Sequence, residues 1–366
     1  MVDLPPNWDT MSADALYDSF FERKPKSNGA SKPDFPLVRT SKEFSESFVP
    51  PDFVWGQILI RGFLYALTAK TGGGKTSVLL RLAAHGALGL DLAGKSMERG
   101  RWLYLAAEND LDVQMRWIAL SQQMQFDIND IEVYFVPGTF NLSENIPKLC
   151  REALHYGGDF IGVIVDTAPA FYAAEDANDR VGQQAHAEML RSLTTMIPGN
   201  PVVIAACHPR KYASDDDLIP AGGGTFLNSI DGNFTLSKSE NITELGTQGK
   251  FRGIEFAPMN FLLRTCTHER LKTKTGILIP TVFADYLSEE AKERMESTAL
   301  ADEDRIIDII RGNPRISIAA VAIAMGWYFD DRQPKKAKAQ RYLDRLVKAK
   351  LIARERNGTW VILEDE

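Results

Sequence analysis

The chain has 366 residues, 44% of them hydrophobic and 25% charged, which is the composition of a globular protein with one sizeable core and room for a smaller second module. A net charge of −7 excludes a surface that coats nucleic acid uniformly, so any such contact is expected from local basic patches. Three cysteines, Cys150, Cys207 and Cys266, lie far apart without a CxxC pair, which excludes a zinc ribbon and a disulfide framework as organising features.

Residues 1–50 are rich in Pro, Ser, Asp and Lys, with one apolar spacing at Leu16, Tyr17, Phe20 and Phe21. A mobile arm with one brief helix is expected, its stripe either covering its own domain or docking on a partner. The first residues, Met1 to Pro6, lack a basic stretch followed by an apolar one, and no apolar run approaches the roughly 20 residues of a membrane crossing. The expected location is cytoplasmic. From Phe63 to about Phe283, short apolar runs alternate with helical periodicity, as in a mainly parallel sheet with crossover helices. The runs at 63–68, 102–107, 160–165 and 202–207 are predicted strands buried on both faces. Helices are predicted through Leu79, Leu82 and Ala83, through Met115, Ile118 and Ala119, and through Met189, Leu190 and Leu193. After Ile230, the segments 233–237, 242–245, 254–256 and 261–265 predict an antiparallel extension of the sheet. Residues 288–298 read as a charged helix, so the main domain is expected over 51–298 and a separate one over 299–366.

The string Ala69-Lys70-Thr71-Gly72-Gly73-Gly74-Lys75-Thr76 follows a predicted strand and opens a predicted helix, the setting in which a glycine-rich loop cradles phosphate. The glycines let successive backbone N–H groups converge on phosphate oxygens, and the helix adds its positive end. Lys75 is placed to neutralise the β- and γ-phosphates, and the Thr76 hydroxyl to bind Mg²⁺. Residues Ala69 to Thr76, with Ser77, form the expected ATP site. Ala69 stands where the usual pattern opens with glycine, and the alternative reading of the string is a plain glycine-rich turn.

Asp166, at the end of a buried run, is the expected second Mg²⁺ anchor. Glu108 ends another run on the edge where open α/β sheets bind ligands, and is assigned as the general base; the alternative is a charge favouring the helix N-terminus that follows. His208 ends a third run, as a γ-phosphate sensor or a surface histidine.

This order of phosphate loop, strand-end Glu, strand-end Asp and strand-end His resembles the RecA-like ATPases, within the wider AAA-family ATPases. The resemblance is closest to the RepA- and DnaB-type hexameric replicative helicases. Two further features are similar to that subgroup: the acidic loop Glu175-Asp-Ala-Asn-Asp179 and the signature Lys250-Phe-Arg252-Gly253. Taken alone, Lys250 and Arg252 read as a solvated pair protecting an edge strand. The resemblance implies instead that they reach the γ-phosphate held by a neighbouring subunit, in a homo-oligomer, a hexameric ring, with the ATP site at the interface. For the DNA loops of such rings the available cations are Arg180, Arg210 and Lys211, with Asp215 to Asp217 adding negative charge nearby.

The last segment reads as a helix over 301–312, a second helix capped by Ser317, a third over about 334–350, and a hairpin turning at Asn357-Gly358. Three helices and a hairpin resemble a winged helix. Its basic residues are Arg332, Lys335, Lys336, Lys338, Arg341, Arg345, Lys348, Lys350, Arg354 and Arg356, against Asp344 and Glu355. A DNA-binding face is expected, with docking to an acidic protein as the alternative. The function expected is a DNA motor driven by ATP hydrolysis. A DNA-binding ATPase for loading, partition or recombination, and a small-molecule kinase, remain as alternatives.

Overall fold

Alternation of apolar runs with amphipathic helices places every other residue of a strand on the same side of a sheet, so helices before and after each strand can cover both faces. A computed structural model describes residues 38–172 and 180–363; the apolar spacing at Leu16 to Phe21 and the loop Glu175 to Asp179 lie outside them. In chain order the first unit contains α1 (Ser41–Glu46), β1 (Phe53–Trp55), β2 (Leu59–Ile60), β3 (Leu64–Ala69), α2 (Lys75–Leu88), β4 (Arg101–Ala106), α3 (Asp110–Met124), β5 (Val133–Pro137), α4 (Leu142–His155), β6 (Phe160–Asp166), α5 (Arg180–Met196), β7 (Val202–Cys207), α6 (Gly223–Ser229), β8 (Gly232–Ser239), β9 (Ile242–Phe251), β10 (Met259–Cys266) and β11 (Thr281–Leu287).

A nine-stranded sheet orders these strands as β11-β10-β9-β8-β3-β7-β6-β4-β5. From β8 to β5 the strands run parallel, and β9, β10 and β11 add on antiparallel. Along β4, Trp102, Tyr104 and Ala106 enter a core with α2 and α3. Leu103 and Leu105 enter a second core with α4 and α5. Trp102 sets a backbone requirement: a Cβ at Gly86 would lie 2.1 Å, and one at Gly162 2.4 Å, from its ring.

Three expectations change. Strand β8 lies parallel to β3, so the antiparallel extension begins one strand later. Residues 254–256 form no strand, because β9 takes ten residues up to Phe251 and the chain leaves the sheet after the Arg252 N–H bonds the Asp231 carbonyl. Strands β5 and β11, neither anticipated, form the two edges.

The chain divides into compact units at Leu287/Ser288. The expected division at 298/299 falls inside α7 (Glu289–Gly312), which is one helix where the sequence reading had two, since no Gly or Pro interrupts it before Gly312. The second unit continues with α8 (Ile318–Ala324), α9 (Lys336–Lys348), β12 (Ile352–Arg354) and β13 (Trp360–Ile362). Its core joins Ile306, Ile310, Val321, Leu343, Leu346 and Trp360. The hairpin is not the expected two-residue turn. Beyond the Arg354–Trp360 pair the Glu355 N–H bonds the Thr359 carbonyl and the Gly358 N–H the Glu355 carbonyl, and Gly358 takes positive φ (86°) while Asn357 does not, giving a three-residue loop, 356–358, closed by a glycine bulge. Among the described residues no helix is long and apolar enough to cross a membrane.

Candidate active site

Strand β3 is buried along its whole length and delivers the chain to the loop 70–74 at the sheet edge. Ala69 is the last residue of that strand and pairs with Leu236, so its backbone is extended and alanine suffices. Gly72 and Gly74 take positive φ (76° and 95°), and a Cβ at Gly73 would meet the Lys70 carbonyl at 2.9 Å. The loop is braced from β8 and β9, where Lys238 Nζ donates to the Gly72 carbonyl at 3.1 Å and Thr243 Oγ1 to the Gly73 carbonyl at 2.8 Å. Lys75 is buried, and its Nζ donates to the Ala69 carbonyl at 2.8 Å. Burial lowers its pKa, opposed by the charges of Asp166 and Glu108.

Asp166 lies level with Ala106 on the neighbouring strand. The Tyr104 hydroxyl donates to its Oδ2 at 2.6 Å. Burial raises the Asp166 pKa, and hydrogen bonds from Tyr104 and Thr76, then the charge of Lys75, pull it back. His208 sits half-buried at the end of β7, its pKa lowered by burial and by Lys75, against Glu108 and Asp166. Glu108, Asp166, His208, Lys75 and Thr76 all line one cleft of about 520 Å³. The same cleft is also lined by Asn109, Asp112, Val113, Arg116, Leu263 and Val282. Arg116 is held there by Asp112 Oδ2 at 2.6 Å and donates to Ser77 Oγ at 2.7 Å. The helix N-cap beside Glu108 is Asn109, which accepts from the Asp112 N–H.

The residues present fit Mg²⁺, which takes one or two carboxylates together with phosphate oxygens: the buried Asp166 carboxylate and Thr76 line the same cleft as the phosphate loop. Bound there, the ion would offset charge on the phosphates.

The sequence-predicted residues 69–77, Glu108, Asp166 and His208 come together at one edge; Lys250 and Arg252 do not. Gly232, at the start of β8, pairs with Tyr65 of β3 on one side and Phe251 of β9 on the other, so Lys250 and Arg252 lie at the opposite end of the sheet. Tyr104, Arg116, Lys238 and Thr243 were not anticipated. Nothing in the sequence marks them, because each reaches the site from a different strand or helix. Two cations nearby are neutralised in part: Arg210, two residues beyond His208, pairs with Asp217 at 2.7 Å, and Lys70 of the phosphate loop with Asp215 at 2.8 Å.

Residues 30–214, more than half the chain, match the family model described as an AAA domain. No curated protein matches the sequence. The chain belongs to this AAA-domain family, and its nucleotide-binding site is that of a P-loop ATPase.

Proposed function

We propose that this AAA-domain ATPase works as a homo-oligomer, a ring of RepA or DnaB type, that couples ATP hydrolysis to movement on DNA. The observation that carries this reading is the separation, within one chain, between the phosphate loop at one end of the sheet and Lys250 with Arg252 at the other. Cations at that far end have a nucleotide to act on only when a second subunit brings its cleft against them. Glu108 is the base that activates water, His208 senses the γ-phosphate, and Lys75, Thr76 and Asp166 hold MgATP. An arginine supplied in trans contributes about 10³–10⁵ in turnover, so hydrolysis is expected to rise more than proportionally with protein concentration. Steady-state ATPase measured over a concentration series, with and without single-stranded DNA, tests it. Turnover per chain that stays constant across the series and ignores DNA would refute the motor.

The second unit is read as a winged helix that binds DNA through α9 and the hairpin. Lys338 is engaged by Asp302 at 3.7 Å and lies over Trp327, and Arg345 pairs with Glu303. Arg332, Lys336, Arg341, Lys348, Lys350 and Arg356 are exposed and supply the phosphate contacts.

A second reading, a DNA-binding ATPase that loads or partitions DNA without unwinding, is favoured by the pairing of Arg210 and Lys70 with Asp217 and Asp215. That pairing leaves less positive charge near the site than a strand-gripping loop needs. A strand-displacement assay separates the two, since both predict DNA-stimulated hydrolysis and only the first predicts unwinding.

A further inference from the structure

At the end of the sheet opposite the phosphate loop, one buried acid holds two arginines, with a lysine nearby. The Asp231 side chain is 4% exposed. Its Oδ1 accepts from Arg252 Nη1 at 3.0 Å, and its Oδ2 from the Leu64 N–H at 3.0 Å and from Arg191 Nη1 at 2.9 Å. The backbone adds to this: the Arg252 N–H bonds the Asp231 carbonyl at 2.8 Å, and the Asp231 N–H bonds the Leu64 carbonyl at 2.7 Å. Arg191 also donates to the Ser229 carbonyl at 2.7 Å. Lys250 donates to a neutral acceptor, the Asn228 carbonyl, at 2.6 Å, and feels the charges of Arg252, Asp231 and Arg191. One carboxylate therefore binds two guanidiniums directly and acts on the ammonium only through its charge. The carboxylate is inaccessible, while the Arg252 side chain is 63% exposed and that of Arg191 39%, so the excess positive charge faces solvent.

We propose that Asp231 is the positioning residue for Arg252, and that Arg191 joins Lys250 and Arg252 in a phosphate-binding cluster that receives the nucleotide of a neighbouring subunit. The inference rests on the trans-acting reading of Lys250 and Arg252. A buried carboxylate bonded from both sides sets where the Arg252 guanidinium sits without neutralising the cluster, so an incoming anion meets preplaced donors. A displacement of about 1 Å in such a group costs on the order of 10²-fold.

Subunit mixing tests this. Asp231→Asn is expected to lower kcat tenfold or more, with the affinity for a fluorescent ATP analogue and the oligomeric state unchanged. Mixing it with Lys75→Ala chains is expected to restore turnover, because the second chain supplies an intact cation cluster and the first an intact phosphate loop. Wild-type kcat in Asp231→Asn would overturn the proposal. So would a loss that mixing does not restore while Arg252→Ala is restored by the same partner, since the effect would then run through Leu64 to the chain's own phosphate loop. If Arg252→Ala itself keeps wild-type turnover, or is not restored, the trans-acting reading fails instead. Should Asp231→Asn not fold, Asp231→Glu retains the charge and moves it outward; a severalfold fall in kcat, restored by mixing, is expected, and wild-type kcat would again overturn the positioning role.

Discussion

The two ends of the central sheet handle charge in opposite ways. At the phosphate-loop end, Lys75 and Thr76, which follow the β3 loop, and Asp166, at the end of β6 on the far side of β7, line one cleft, with the Tyr104 hydroxyl bonded to Asp166 and the Ala69 carbonyl to Lys75. At the other end, Asp231 is surrounded by more positive charge than it can neutralise, and the excess is exposed. The first arrangement is finished within one chain. The second leaves its excess positive charge facing solvent, the feature on which the proposed subunit interface rests. Parallel strands produce this polarity: all their carboxyl ends, with the loops that carry ligand-binding groups, fall on one edge.

The largest effect that would sharpen the contrast is expected from Lys75→Ala, which should abolish turnover and weaken nucleotide binding together. A titration with fluorescent ATP alongside a hydrolysis assay checks both, and retained binding with normal turnover would break the comparison at its first end. Arg252→Ala should leave binding intact and cost about 10³ in turnover, a split between affinity and rate that only the open end predicts.

Helix α5 carries Arg191 to the open end and also His186, buried between the rings of Tyr172 and Phe226. Burial lowers the His186 pKa from 6.5 to about 4. Protonation is therefore easier in the unfolded chain. Stability from the neutral ring is whole above pH 6.5 and drains away as pH falls towards 4, by on the order of 3 kcal/mol. Urea unfolding of the wild type and His186→Phe at pH 7 and 4.5 should show the difference between the two proteins shrinking or reversing in acid. An equal difference at both pH values would show that His186 does not couple acid to α5.

The smallest effect concerns the second unit, where Lys336 and Arg341 are exposed on α9. Lys336→Ala and Arg341→Ala should each weaken DNA binding across all sequences and lower the slope of log affinity against log salt by about one. An unchanged slope in both would remove α9 from the DNA face.

Much of the P-loop end was legible in the sequence because its groups sit at or just beyond strand ends: Lys75 and Thr76 after the loop that follows β3, Asp166 at the last position of β6, His208 just after β7. Such positions are readable from an apolar run and the residue that ends it. The open end was legible only in Lys250 and Arg252, because Asp231 looks like any turn acid before a strand, and Arg191 like the polar face of a helix. The secondary structure failed where local pattern is weakest. Edge strands β5 and β11 alternate poorly, and α7 carries so much charge that its middle reads as a break.

What the sequence determined alone is the parallel αβ order, the phosphate loop and the residues ending its strands, since each follows from period, glycine placement and burial within a short window. Only the tertiary structure decided that Tyr104 serves Asp166, that Lys238 and Thr243 brace the loop, and that Arg191, Asp231 and Arg252 meet. Those contacts join residues far apart in the chain, up to 170 positions in the case of Thr243 and Gly73. Their pairing is set by which strand lies beside which, a choice made by the packing of the whole sheet and not by any segment of it.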